Sequence, residues 1–150
     1  MKKIVIAILV VALSGLFYGG DAYGGAPHKP DKGWAAGGRY GRLYNPGTVE
    51  TISGEVVSVQ KFIPMRGMSG GLHFILKSDK ETISVHLGPT WFLQKEGIKI
   101  EPNDHVTVIG SRITFGGNPA IIAAKVTKGG KTWKLRDDTG VPLWSMRRGM

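Results

Sequence analysis

Two histidines are the side chains in this chain best suited to chemistry, because they fall on strands that are expected to pair. Residues 72–77 (LHFILK) and 82–87 (TISVHL) are typical of two strands joined by a turn at residues 78–81. The apolar alternation sets a register that places His73 opposite His86, on the face pointing away from the core. Directly opposed side chains have Cβ atoms about 4.5–5.5 Å apart. The pair can therefore share a transition metal ion.

The loop before this hairpin supplies two further candidate metal ligands. Met65 and Met68 carry soft thioethers, which favour Cu(I). The sequence thus gives copper or zinc as the metals to test, with His73, His86, Met65 and Met68 as candidate ligands. The alternative is a solvated histidine pair on a polar sheet face.

Basic charge is the second feature that suggests a ligand. The 150 residues include 20 Lys+Arg and 11 Asp+Glu, giving a formal net charge of +9. Lys61, Arg66 and Lys77 are expected to join His73 and His86 in a ligand-binding surface. That surface would be the outer face of strands two and three, with loop 65–71 and turn 116–118. The matching partner is a polyanion, such as extracellular DNA, an anionic envelope polymer or lipid head groups. Alternatively, the charge serves solubility alone.

Several kinds of catalytic site are excluded. The chain has no Cys, which removes disulfide scaffolds, cysteine-ligated zinc and cysteine nucleophiles. Residues 67–71 match G-x-S-x-G, but a strand follows them, whereas a nucleophile elbow leads into a helix. Residues 130–132 resemble the end of a P-loop, but Lys125 occupies the position of its first glycine. No pair of carboxylates is placed for acid–base work, so we expect no catalytic residues and no enzyme.

The N-terminus has the features of an export signal. Lys2 and Lys3 precede an apolar run over residues 4–17, and small residues Gly20 and Ala22 follow at the −3 and −1 positions of a cleavage site. A transmembrane anchor is the alternative, but the run is shorter than the roughly 20 residues that a bilayer requires. Residues 1–22 are therefore predicted to be a signal peptide, which directs the protein to the periplasm or the medium.

The remaining chain divides into three parts. Residues 23–47 are rich in Gly and Pro and lack an apolar period, so they are expected to form a flexible basic arm. Residues 48–128 carry three strands, a short helix at 89–96 and two more strands, and the long first strand contains Gly54. This order predicts a five-stranded OB-fold barrel, with an open β-sandwich or split barrel as the alternative. Residues 129–150 are expected to add a short strand at 131–136 and a basic tail.

The apolar pattern also predicts the core of the barrel. In strand four, Val106 and Val108 differ in parity from Ile113 and Phe115, so we expect a bulge at Gly110 or Ser111. The core residues expected from the alternation are Val56, Leu72, Phe74, Leu76, Ile83, Val85, Leu87, Phe92, Val106, Val108, Ile122 and Val126.

Residues 48–127 resemble the small exported bacterial OB-fold (BOF) proteins. The similar features are G-x-V-x-x-V at 54–59, a third strand running into Trp91, and D-x-V-x-V-x-G at 104–110. These are structural positions, so the resemblance implies a fold and assigns no functional residue.

A second, weaker similarity is to the periplasmic OB-fold copper chaperone of copper/silver efflux systems. It rests on His86 in ISVHLGP and on the nearby Trp91. The chain lacks the closely spaced Met-x-Met that follows the tryptophan in that family. The similarity implies copper binding at His86.

Taken together, the sequence predicts an exported, non-catalytic OB-fold protein that binds an anionic or polymeric partner on the strand 2–3 face. One alternative is a periplasmic, copper-type metal-binding protein that uses His73 and His86. The other is an envelope structural or stress protein with no discrete ligand.

Overall fold

The computed structural model describes residues 32–145. The predicted signal peptide, residues 23–31 of the predicted arm and the last five residues lie outside the described residues. The strands are β1 (Val49–Phe62), β2 (Gly71–Lys77), β3 (Thr82–Pro89), β4 (His105–Phe115), β5 (Asn118–Lys128) and β6 (Lys131–Lys134), with helix α1 (Thr90–Lys95) between β3 and β4. Three-residue 3-10 helices span Lys32–Trp34, Gly41–Leu43, Pro46–Thr48 and Leu143–Ser145.

The six strands form one sheet that closes into a barrel. Their order is β3-β2-β1-β4-β5-β6, and neighbours in this order are antiparallel. A parallel pairing of β3 with β5, for example Ser84 with Ala120, closes the first five strands on themselves. Strand β6 extends β5 outside the closure. This is the predicted OB-fold barrel, with its short helix and additional C-terminal strand, and the open-sandwich alternative is wrong.

The register of the β2–β3 hairpin matches the sequence prediction. Lys77 pairs with Thr82, and His73 pairs with His86. One irregularity lies just before His73, since Leu72 lies opposite Gly88 instead of Leu87. Apolar side chains alternate cleanly on both strands, and a shift by one residue would expose all of them, so the burial of one face fixes the pairing.

The interior of the barrel is apolar and is closed at one end by the helix, through Phe92 and Leu93. Two predicted core residues differ in position. Leu72 is only partly buried at the edge, and Ile122 lies outside the barrel. The buried interior residues are Val56, Phe74, Leu76, Ile83, Val85, Leu87, Phe92, Leu93, Ile98, Ile100, Val106, Val108, Ile121, Ala123, Val126 and Leu135.

The β4–β5 ladder has its irregularity near the predicted place but on the other strand. Ile109 pairs with Lys125 and Gly110 pairs with Ala123, so Ala124 is an additional residue in β5. The predicted bulge within β4 is therefore wrong. The additional residue explains the core pattern of β5, because it changes the parity of the residues on either side of it.

The side chains of strand β4 alternate between its two faces without a break. Its apolar residues shift from one face to the other along the strand, because a different apolar cluster covers each face. Val106 and Val108 point into the barrel, while Ile113 and Phe115 point outward into a second apolar cluster. We call this second group the outer cluster. Its buried members are Trp34, Tyr40, Met68, Ile113, Ala120 and Ile122, and its partly buried members are Leu43, Tyr44, Phe62, Met65, Phe115 and Trp144.

The segment before β1 covers this outer face, which corrects the expected flexible arm for residues 33–47. Trp34 is 0% exposed and Tyr40 is 1% exposed. The indole of Trp34 donates to the Ser69 carbonyl at 2.9 Å, and the indole of Trp144 donates to the Trp34 carbonyl at 2.8 Å. The segment contains only short 3-10 helices and irregular structure, so its apolar residues show no regular spacing. Its aromatic rings nevertheless bury enough surface to order it.

Gly54 stands where β1 passes closest to the end of β2. A Cβ at this position would meet the backbone carbonyl of Lys77 and approach Ser78 Cα to 3.1 Å. We expect Gly54→Ala to lower the free energy of unfolding by about 1–3 kcal/mol, because neither backbone can yield easily. Urea denaturation measures this. Gly37→Ala is the control, since nothing lies within 4 Å of its Cβ position, and an equal loss in both variants would contradict the explanation.

Candidate functional site

The histidine pair forms as predicted, but it is covered. His86 is 2% exposed, and its ring stacks on Tyr40 with centroids 5.9 Å apart. The rings of Phe62 and Phe115 lie 4.7 and 4.9 Å from it. The ring of His73, which is partly buried, is centred 6.0 Å from that of His86. A solvated pair on a polar face is therefore wrong for His86.

A hydroxyl group bonds one ring nitrogen of each histidine. His86 Nδ1 shares a 2.9 Å hydrogen bond with the Tyr40 hydroxyl, and His73 Nδ1 shares one of 2.8 Å with Ser84 Oγ. Burial, aided by the neighbouring His73, lowers the pKa of His86 to about 3. Burial also lowers the pKa of His73 and raises that of Tyr40. Both imidazoles and the phenol are therefore neutral at neutral pH.

Metal binding at this pair stays a prediction. Within residues 32–145, no group of three or more His, Asp or Glu side chains is arranged to hold a metal ion. Met65 and Met68 belong to the outer cluster that covers His86, and Met68 is 8% exposed. A site for copper or zinc would therefore depend on thioether ligands in addition to the two imidazoles.

The predicted basic residues do not form one surface on strands two and three. Lys61 pairs with Leu72 and alternates with Phe62, so it points away from the face that carries the imidazoles. Lys77 lies at the opposite end of β2. Arg66 lies in the loop between β1 and β2. Of the three predicted basic residues, it is the one in the same loop as Met65 and Met68.

Arg66 lines a cavity of about 520 Å³ between the pre-β1 segment and the loop before β2. We call this cavity the arginine pocket, because Arg39 lines it as well. Its volume falls in the range of small-ligand sites, roughly 300–1,000 Å³. The lining residues are Gly33, Gly38, Arg39, Tyr40, Met65, Arg66 and Met68.

Local backbone turns hold the two walls of the pocket. The Arg42 amide donates to the Gly38 carbonyl at 3.0 Å, which places Arg39 on a helical turn. In the other wall, the Met68 amide donates to the Met65 carbonyl at 3.2 Å. The walls touch at Gly33, where a Cβ would overlap the Met68 side chain. Only glycine at position 33 allows this close approach.

The electrostatics of the pocket are wholly cationic. No carboxylate is among its lining residues. Within the described part of the chain, neither Arg39 nor Arg66 forms an ion pair or a side-chain hydrogen bond. By contrast, Arg112 bonds both Glu50 and Glu81. The two pocket guanidiniums are therefore available to an anion from outside.

Arg136 differs from the pocket arginines because it is buried, and its contacts join separate parts of the fold. It is 1% exposed and lies between the rings of Tyr44 and Trp144, at 5.3 and 5.1 Å from their centroids. Its guanidinium donates to the Gly140 carbonyl at 3.0 Å. Cation–π contacts thus join the pre-β1 segment to the C-terminal turn.

Two other hollows lack this charge pattern. One, of about 260 Å³, lies beside Arg112, whose charge Glu50 and Glu81 neutralise. The other, of about 340 Å³, lies between α1 and Trp144, and Glu96 lines it together with Lys95 and Lys134. The arginine pocket is therefore the better candidate for binding an anion.

Sequence reasoning found three of the seven residues that line this pocket. Met65, Arg66 and Met68 were expected site residues, whereas Arg39 and Tyr40 were placed in the flexible arm. The signal that could have found them is the alternation of aromatic and basic residues in RYGRLY at 39–44.

The model of the MamS/MamX magnetosome protein family matches residues 48–133, which is more than half of the chain. The chain belongs to the MamS/MamX family. The matched region runs from the start of β1 into β6, so it contains Arg66, His73 and His86 of this chain, while Arg39 and Tyr40 precede it. None of the curated proteins matches this MamS/MamX chain. Across residues 32–145, no helix is long and apolar enough to cross a bilayer.

Proposed function

We propose that this MamS/MamX protein is an exported, non-catalytic binding protein that holds an anionic partner in the arginine pocket and serves at the magnetosome. One observation carries the binding proposal. Arg39 and Arg66, which are exposed and lack carboxylate partners among the described residues, line one cavity together with Met65 and Met68, which we call its apolar floor. The magnetosome part rests on the name of the family.

Two further observations support a binding role over catalysis and an exported location. The G-x-S-x-G stretch leads into strand β2, whereas a nucleophile elbow leads into a helix. The sequence pattern of residues 1–22, which lie outside the described residues, favours export.

The pocket itself can be tested with a simple anionic probe. A fluorescently labelled hexaglutamate peptide is titrated with the full chain at low salt, and binding is followed by anisotropy. We expect the Arg39→Gln/Arg66→Gln double variant to bind about tenfold more weakly or worse, because two charge-assisted hydrogen-bonding groups are lost. Added salt weakens wild-type binding, since the charges are exposed.

Arg42 provides the matched control. It is an exposed arginine of the same segment and does not line the pocket. Arg42→Gln should retain wild-type affinity. If the double variant binds hexaglutamate as well as the wild type does, the pocket is not the anion site.

A further inference from the structure

We infer, on the basis of that proposed function, that the anionic partner is a protein segment in which acidic side chains flank an apolar side chain. The inference concerns the chemistry of the arginine pocket, whose lining combines two exposed arginines with the floor formed by Met65 and Met68. A partner that fills this pocket has to match both parts.

The floor of the pocket requires an apolar group. Met65 is partly buried and Met68 is 8% exposed, and both line the cavity beside Tyr40. Methionine side chains are flexible and polarisable, so they suit protein surfaces that accept varied apolar side chains of a partner. A phosphate chain or a sugar polymer offers no apolar group to Met65, which is the more exposed of the two methionines.

The two guanidiniums come from different segments of the chain, and this arrangement suits a partner that carries two carboxylates. Arg39 comes from the helical turn before β1, and Arg66 comes from the loop after it. Each planar guanidinium can bond one carboxylate through two parallel hydrogen bonds. A peptide with an acidic residue on each side of an apolar one therefore satisfies both walls and the floor together.

An exposed apolar residue extends this surface. Ile63 is 63% exposed and precedes Met65 by two residues in the same loop. Two residues of chain span at most about 7 Å, so its backbone lies close to the pocket wall. This adds apolar contact for a partner longer than three residues.

Nucleic acid fits the described surface less well. Single-stranded nucleic acid binds along a basic track with aromatic rings on which bases stack. Here Trp34 and Tyr40 are buried at 0% and 1% exposure, and Phe62 packs against both histidines. Lys61 and Lys77 do not line the pocket. At the arginine pocket, neither the stacking platforms nor the track are therefore in place.

The experiment compares matched probes on the full chain. Three labelled peptides contain Glu-Leu-Glu, Glu-Ala-Glu or Gln-Leu-Gln in the same neutral flanks, and two further probes are oligo-dT and phosphatidylglycerol vesicles. We expect the Glu-Leu-Glu peptide to bind at least about tenfold more tightly than either peptide control, because each control lacks one half of the match. It should also bind more tightly than oligo-dT or the vesicles.

Two substitutions at one position separate the apolar floor from the charge. Met65→Ser should reduce the preference for leucine over alanine to less than about threefold, because the apolar contact is lost. Met65→Leu should retain the preference, since it keeps the apolar volume. Arg66→Gln should weaken both acidic peptides alike. Thermal unfolding of each variant checks that the fold is intact.

The outcomes distinguish this inference from the proposed function. Equal affinity for the leucine and alanine peptides overturns the apolar part, while an anionic partner remains supported. Tighter binding of oligo-dT or vesicles, with a steep loss in salt, overturns the peptide inference and keeps an anionic partner of another class. If none of the probes binds, the inference and the proposed function both fail.

Discussion

Trp34→Ala should lower the free energy of unfolding by about 3–5 kcal/mol, the usual range for removal of a fully buried tryptophan. The ring is 0% exposed and lies edge-on to Tyr40 and Trp144, with centroids 5.1 and 6.1 Å away. The substitution also leaves the Ser69 carbonyl without its 2.9 Å hydrogen bond. Urea denaturation of the full chain, followed by circular dichroism, measures the loss.

The same experiment decides whether the segment before β1 is part of the fold. Arg42→Ala is the control, because this exposed side chain lies in the same segment and should change stability by less than about 0.5 kcal/mol. A loss below about 1 kcal/mol for Trp34→Ala would restore the flexible-arm prediction. Binding to the arginine pocket should fall in parallel with stability, because Trp34 stands directly after Gly33, which lines it.

Local sequence patterns were sufficient to predict the barrel. The β2–β3 register followed from strict alternation over two short strands, because a one-residue slip would turn Phe74 and Val85 to solvent. The place of the helix followed from the Pro and Gly that bound it. The structure shortens that helix to Thr90–Lys95, since β3 continues through Pro89. These features depend on neighbours in the chain, which periodicity can detect.

The outer cluster could not be predicted in the same way. It joins residues far apart in sequence, such as Trp34 and Trp144, and it covers an outer barrel face that carries apolar side chains of its own. A bulge at Gly110 or Ser111 was therefore predicted in order to bring Ile113 inward, and Ile122 was assigned to the interior, because the prediction allowed for one core only. The apolar residues on both faces of β4 were the feature of the sequence that indicated a second cluster outside the barrel.

The candidate site shows the same division. The loop residues Met65, Arg66 and Met68 were selected by residue type and lie together around one cavity. Arg39 was missed as a site residue, since its own wall of the pocket is made by a segment whose glycine content favoured disorder. Burial of its neighbour Tyr40 against His86 orders that wall, and this contact spans 46 residues. Long-range contacts of this kind leave no periodic trace in the sequence.

The second large effect concerns the pH dependence of stability, through His86. Burial holds its pKa at about 3 in the folded protein, whereas the unfolded chain has the ordinary value of 6.5. Between these values the unfolded state binds the additional proton, so the contribution of His86 is complete above pH 6.5 and is lost as pH falls. We expect the free energy of unfolding to fall by about 2 kcal/mol between pH 6.5 and about pH 5.

A double variant isolates this contribution. Tyr40→Phe/His86→Leu removes the imidazole together with the hydroxyl that bonds it, so no buried polar group is left without a partner. His73 remains and also has a lowered pKa, and it contributes a slope of the same sign in both proteins. The difference between the two curves over this interval therefore reports His86 alone.

Urea denaturation at intervals between about pH 5 and pH 7.5 provides the two curves. The wild type should lose stability more steeply than the double variant, with the two curves parallel above pH 7 where the unfolded histidine is neutral. Parallel curves throughout would mean that His86 takes up its proton in the folded state. That result would require the Tyr40 ring to move off His86, because the stacked ring and the phenyl groups of Phe62 and Phe115 otherwise exclude water from the imidazole.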